Sequence, residues 1–308
     1  MMLLDDAQHF VRDPDWTWYI LGYFFFAGLS GGSYAIATLL RFGNRADEPA
    51  ARVGYYISFI TLLACPVLLT LDLGQPLRFW HMLVNTTPGQ EGLNFKYWSP
   101  MSVGAWALVV FGAFATVAFL EAFLRDRGST RLVRPLDGGL GKIFHAIGAL
   151  LALFIAGYTG VLLSVSNQPV WSDTWALGGL FLASGLSGAA ALMGWLVRYR
   201  RDALASAAGL ARGERLFQVL ELLLIVVFVL TLIPTGAMNR AFGFPWFLLW
   251  IVALLGLAQG LAARAFDRPR VAADGTVAAS GRVTALIPAA LVLIGILALR
   301  AAIIFAAQ

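Results

Sequence analysis

Apolar and polar positions along this chain alternate in long blocks. Eight predominantly apolar stretches, near Thr17–Arg41, Val53–Leu73, Ser99–Leu124, Ile143–Val165, Trp175–Val197, Leu216–Thr235, Phe244–Ala263 and Thr284–Ala306, are divided by short polar loops. About 20 apolar residues rising about 1.5 Å each cross a hydrocarbon layer about 30 Å thick, so each stretch predicts a transmembrane helix. The expected fold is an all-α polytopic membrane protein of eight helices packed as two bundles. It forms a single integral membrane domain over residues 1–308.

Composition supports this reading, because 59% hydrophobic residues, 13% charged residues and a mean hydropathy of +0.77 do not suit a water-soluble globular chain. The net charge of +5 raises the question of nucleic acid, but the basic residues fall into short loops and form no stripe, so no nucleic-acid partner is expected. Of the 22 Lys and Arg residues, 17 lie in alternate loops (Arg41 to Arg52, Arg125 to Lys142, Arg198 to Arg215, Arg264 to Arg282) and 5 in the others. The positive-inside rule assigns the first set to the cytoplasm and both termini to the periplasmic side of a bacterial or archaeal inner membrane. An N-terminus carrying Asp5, Asp6, Asp13 and Asp15 lacks the basic start of a secretory signal, so the first span is expected to be retained.

Cysteine and histidine limit the cofactors. One cysteine, Cys65, cannot supply the roughly four thiolates of an iron–sulfur cluster. It reads as a small buried residue beside the helix-breaking Pro66. His9, His81 and His145 fall at different places relative to the spans, which excludes paired imidazoles for a haem. No haem or iron–sulfur cluster is expected in this chain. Gly28 and Gly32 with Ser33, Gly157 with Gly160, and Ser184, Gly185 and Gly188 predict close helix contacts.

Candidate chemistry gathers where the second span leaves the membrane on the outer side. Asp72 ends an apolar helix, Gln75 and Pro76 break it, and Arg78 and His81 follow beside Trp80. Two readings stand: an Asp72–Arg78 ion pair anchoring the turn, or a shallow amphipathic pocket meeting a ligand that arrives sideways from the lipid. Tyr97, Trp98 and Ser99 lie in the same outer layer, where Ser99-Pro100 predicts an N-cap followed by proline. The fourth span exits there too, through Tyr158 to Asn167 and Trp171.

These residues resemble the NrfD/PsrC family of polysulfide reductase membrane subunits, found also in related molybdoenzymes and in alternative complex III. The resemblance rests on Gly28-Leu29-Ser30-Gly31-Gly32-Ser33-Tyr34, Asp72-Leu73-Gly74-Gln75-Pro76 with Arg78-Phe79-Trp80, Ser99-Pro100-Met101-Ser102 with Gly104 and Trp106, and Tyr158-Thr159-Gly160 through Trp171. It covers about the first 190 residues; beyond them the spans match by hydropathy and Glu221.

The resemblance implies a quinone-reactive anchor subunit without redox cofactors of its own. Its expected partners are a ferredoxin-like iron–sulfur subunit and a molybdopterin catalytic subunit, and its expected ligand is menaquinone or ubiquinone. Quinol oxidation releases two electrons and two protons, which makes Asp72 and His81 the candidate proton acceptors. Tyr19, Tyr23, Gln75, Arg78, Tyr97, Trp98, Ser99 and Asn167 are the candidates around the head group. A second ionisable set, Glu121, His145, Glu221 and Arg300, is the candidate proton path. Its structural alternatives are solvation of Glu121 and His145 or their pairing with Arg125 and Lys142, and, for Arg300, balancing a buried carboxylate or snorkelling to the interface, the second being the expectation for that residue. The competing functional classes are a secondary transporter and a purely structural anchor.

Overall fold

The computed structural model describes residues 14–129, 133–263 and 279–308; readings that concern His9, Arg12, Arg131 or the basic residues between 264 and 278 lie outside them. Eight long helices appear among the described residues. They are α1 (Trp18–Phe42), α2 (Glu48–Asp72), α3 (Pro100–Asp126), α4 (Gly139–Ser164), α5 (Leu177–Leu196), α6 (Ala207–Leu232), α7 (Phe247–Ala263) and α8 (Ala279–Ala306). Seven are long and apolar enough to cross a membrane. The other, α7, has 17 residues, at the short end of the roughly 17–25 that suffice.

Local chemistry sets the helix ends. The Thr17 side chain caps α1, and the Ser99 hydroxyl caps α3 by accepting from the Ser102 amide at 3.4 Å, with Pro100 in the first turn. Helix α2 starts at Glu48 instead of Val53, and α6 at Ala207 instead of Leu216. Ala, Arg, Glu and Leu are good helix formers, so the backbone hydrogen bonds run on past the apolar stretch that hydropathy detects.

Helix α1 packs on α2 and α4, and α3 closes the square against the same two helices. A second square runs α5, α6, α7, α8 and back to α5, and the two join along α1–α5, α4–α5 and α1–α8. The protein is therefore an all-α polytopic membrane protein with two four-helix bundles. Glycines set the spacing: a Cβ on Gly31, Gly32 or Gly160 would overlap the backbone of Ala152, Gly185 or Leu177 on the facing helix. Gly28 is different, because its missing Cβ makes room for the guanidinium of Arg300.

The start of α1 and the end of α8 share one end of the molecule. The Trp16 amide donates to the Gln308 side chain at 2.5 Å, and the Gln308 side chain returns a bond to the Trp16 carbonyl at 3.1 Å. At this terminal end, α2 and α3 are joined by a 3-10 turn (Pro76–Met82) and a two-stranded antiparallel ribbon pairing Val84 with Leu93 and Asn85 with Gly92.

Candidate functional site

A cavity of about 250 Å³ lies inside the first bundle at the terminal end, walled by α1, α2, α3, α4 and the turn after α2. Most of its wall is apolar. Asp72, at the last position of α2, and Tyr23, buried on α1, put a carboxylate and a hydroxyl on it. Thr17, whose side chain caps α1, lies beside Asp72. No hydrogen-bond partner for the Tyr23 hydroxyl occurs among the described residues.

Tyr158 forms the α4 side. Its hydroxyl donates to the Pro100 carbonyl at 2.6 Å, and its ring lies where a Cβ on Gly104 would sit. A glycine on α3 thus lets this tyrosine lie flat between two helices. On the membrane side the wall includes Pro66 and Val109, both exposed, so the cavity opens sideways between α2 and α3. Pro66 has no N–H for the helix ladder, which weakens α2 at the level of that opening. Cys65 beside it is buried, as expected.

Of the sequence-predicted head-group residues, the fold brings Asp72 and Tyr23 to the cavity. Tyr19 lies a turn outward and is 44% exposed. Gln75, just before the 3-10 turn, and Arg78, within it, are exposed, and no ion pair between Arg78 and Asp72 occurs among the described residues. His81 is half-buried, with its ring against Trp80 at 4.0 Å and its carbonyl accepting from Asn94 at 3.0 Å. Its neighbours Phe79 and Met82 are the ones that line the cavity. Tyr97 and Trp98 are exposed, Ser99 is engaged as the α3 cap, and Asn167 occupies a left-handed turn after α4 with φ 55°.

Sequence reasoning missed Trp16, Phe24 and Tyr158 as cavity residues. Tyr158 had a signal in the motif around it. Trp16 and Phe24 had none beyond aromatic character, because their role depends on which helix lies behind them.

A second polar cluster lies at the opposite end of the same bundle. Glu121 accepts from Arg41 at 2.7 Å and from Arg125 at 2.7 Å through one oxygen, and its other oxygen meets His145 Nε2 at 2.8 Å. Tyr34 and Tyr55 pack their rings near the imidazole. The pairing of Glu121 with Arg125 agrees with the structural alternative read from sequence. Lys142 is exposed and takes no part; Arg41 takes its place.

The third set lies where the bundles meet. Glu221 accepts from the Ser187 hydroxyl at 2.6 Å. Arg300 does not snorkel: it is fully buried, donating to the Phe24 carbonyl, to the Phe181 carbonyl at 2.9 Å and to Ser184 Oγ at 3.1 Å. The expectation fails because α8 packs Arg300 against α1 and α5, and backbone carbonyls there replace water as acceptors.

Comparisons with known proteins agree with this architecture. The family described as "Polysulphide reductase, NrfD" matches residues 8–308. A polysulfide reductase polypeptide of Wolinella succinogenes is 30% identical over 182 residues, covering 56% of this chain and 55% of that protein. A tetrathionate reductase subunit from Salmonella typhimurium is 27% identical over 204 residues, covering 66% and 55%. A selenate reductase subunit from Mesobacillus selenatarsenatis is 27% identical over 131 residues, covering 42% and 28%. The matched region spans about half the length of the first and second of these, and less of the last. With the family matched over nearly its whole length and its helices in two membrane bundles, the chain belongs to the polysulphide reductase NrfD family.

Proposed function

We propose that this chain is the quinone-reactive membrane anchor of a multi-subunit reductase, taking quinol from the lipid into the cavity of the first bundle. The observation that carries the reading is a carboxylate and a hydroxyl, Asp72 and Tyr23, on the wall of a mostly apolar cavity that opens between α2 and α3, where the Tyr158 hydroxyl is already engaged by Pro100. An apolar ring with two polar oxygens matches this distribution. Ligand pockets commonly measure about 300–1,000 Å³, so a space of about 250 Å³ suits a ring with its tail left in the membrane.

The quinol is a diffusible substrate. Its oxidation to quinone releases two electrons and two protons. Asp72, half-exposed at a helix end, accepts the two quinol protons one after the other, passing the first to water on the terminal side before it takes the second. Tyr23 donates a hydrogen bond that orients the second oxygen. The electrons leave to a redox centre of a partner docked at the terminal end, which we read as the periplasmic face of a bacterial or archaeal inner membrane. An iron–sulfur subunit serving a molybdopterin catalytic subunit fits that role.

The test is Asp72→Asn in the assembled complex. Loss of quinol-dependent turnover, with the partner subunits still co-purifying, supports the reading; wild-type turnover removes it in favour of a structural anchor.

One observation favours a second activity, proton uptake through the second bundle. Glu214, Gln218 and Glu221 are buried on one face of α6, with the Gln218 amide donating to Glu214 at 3.1 Å and Glu221 bonded to Ser187. This polar stripe runs inward from the end opposite the cavity. By contrast, Glu121 is engaged by two arginines and a histidine, which favours a structural lock over a relay. In proteoliposomes containing the complex and a pH-sensitive dye, Glu221→Gln is expected to abolish proton movement beyond that released by quinol oxidation itself, while quinol turnover continues. Unchanged proton movement would rule out this route.

A further inference from the structure

The wall of the cavity nearest the second bundle is aromatic. Trp16 meets Phe24 edge-on at 5.9 Å and stacks on Trp171 at 5.1 Å, while Phe24 touches Phe181 of α5 at 6.1 Å. Beneath Phe24, Arg300 of α8 enters the notch left by Gly28, where a Cβ would overlap the guanidinium. Its acceptors are the Phe24 carbonyl on α1 and the Phe181 carbonyl and Ser184 hydroxyl on α5. Its charge lies over the Phe181 ring at 4.8 Å, and Ser187, one turn along α5, donates to Glu221 of α6 and to the Ser184 carbonyl.

Burying a guanidinium costs several kcal/mol before its partners repay it, and a transmembrane arginine calls for a role. A planar fork of donors can bridge carbonyls on two helices in one fixed arrangement; a lysine ammonium lacks that geometry.

We propose that Arg300 is a positioning residue for the ligand cavity: seated at Gly28, it fixes Phe24 and the aromatic wall, so that the second bundle sets the shape in which the first bundle binds its substrate. The inference rests on the quinol reading for the identity of that substrate.

The test is quinol-dependent turnover of the assembled complex in detergent, with thermal stability followed in parallel. Arg300→Met is expected to raise KM for decyl-ubiquinol about tenfold while turnover at saturation is retained, since small displacements of a binding wall cost this much or more. Gly28→Ala keeps the arginine but displaces it, and carries the test if Arg300→Met fails to assemble. The double variant Gly28→Ala with Arg300→Ala relieves the overlap, so it is expected to regain stability relative to Gly28→Ala but not the wild-type KM. Stability and KM returning together would reduce Arg300 to a packing role and overturn the inference, as would a wild-type KM in Arg300→Met or Gly28→Ala. If Asp72→Asn abolishes turnover while the Arg300 variants are silent, only this inference falls; if Asp72→Asn is silent as well, the quinol reading falls with it.

Discussion

At the residue scale, Asp72 and Glu121 of the first bundle take different roles: one faces a cavity and the other holds helices together. Asp72 lies on the wall of an open space, whereas Glu121 is enclosed by Arg41, Arg125 and His145. The two carboxylates should therefore respond differently to substitution. Asp72→Asn is expected to cost activity with little loss of stability. Glu121→Ala takes from Arg41 its carboxylate, leaving it the Leu136 carbonyl, while Arg125 keeps Asp137, and should destabilise the chain by about 3 kcal/mol, read as a lowered thermal midpoint in detergent. A Glu121→Ala variant as stable as the wild type would contradict the lock assigned to this cluster. The residue types at both places are plain from the sequence. Their different roles became visible only when α1 brought Arg41 and Thr17 to opposite ends of the bundle.

At the element scale, the fold was readable in outline because lipid imposes a length on every apolar helix. The eight spans fall where the apolar blocks lie, and the Ser99-Pro100 start of α3 forms as its capping chemistry dictates. Helix starts at Glu48 and Ala207 were not readable from hydropathy, because helix continues through polar residues at the interface. The site was half legible. Asp72 and Tyr23 stand on elements whose position follows from the spans, whereas Gln75, Arg78 and His81 depend on how an irregular turn folds, and that turn points Phe79 and Met82 at the cavity. Gly104 shows the same dependence on packing, since its significance comes from the Tyr158 ring against it. Gly104→Val should displace that ring, break the 2.6 Å bond to Pro100 and raise KM for quinol. An unchanged KM would mean that the α3–α4 wall does not touch the substrate.

At the scale of the whole molecule, the bundles are joined by buried contacts at the terminal end and by ion pairs at the other. Arg300 and Gln308 tie α8 to α1. At the opposite end Arg200 bridges Asp126 at 2.7 Å and Asp202 at 3.0 Å, and Arg52 and Tyr56 share Asp126. That network is partly solvated, so Arg200→Ala should cost only about 1 kcal/mol and show a salt-dependent stability difference, well below the effect at Glu121. This arrangement leaves the rigid junction beside the cavity and the softer one away from it. A quinone ring that reaches the cavity enters between α2 and α3. The most direct measurement is photolabelling of the assembled complex with an azido-quinone, followed by peptide mapping. Label is expected on the segments from Pro66 to Asp72 and from Met101 to Val109, displaced by excess unlabelled quinone. Label confined to α6 and α7, or absent from this subunit, would contradict this route of entry.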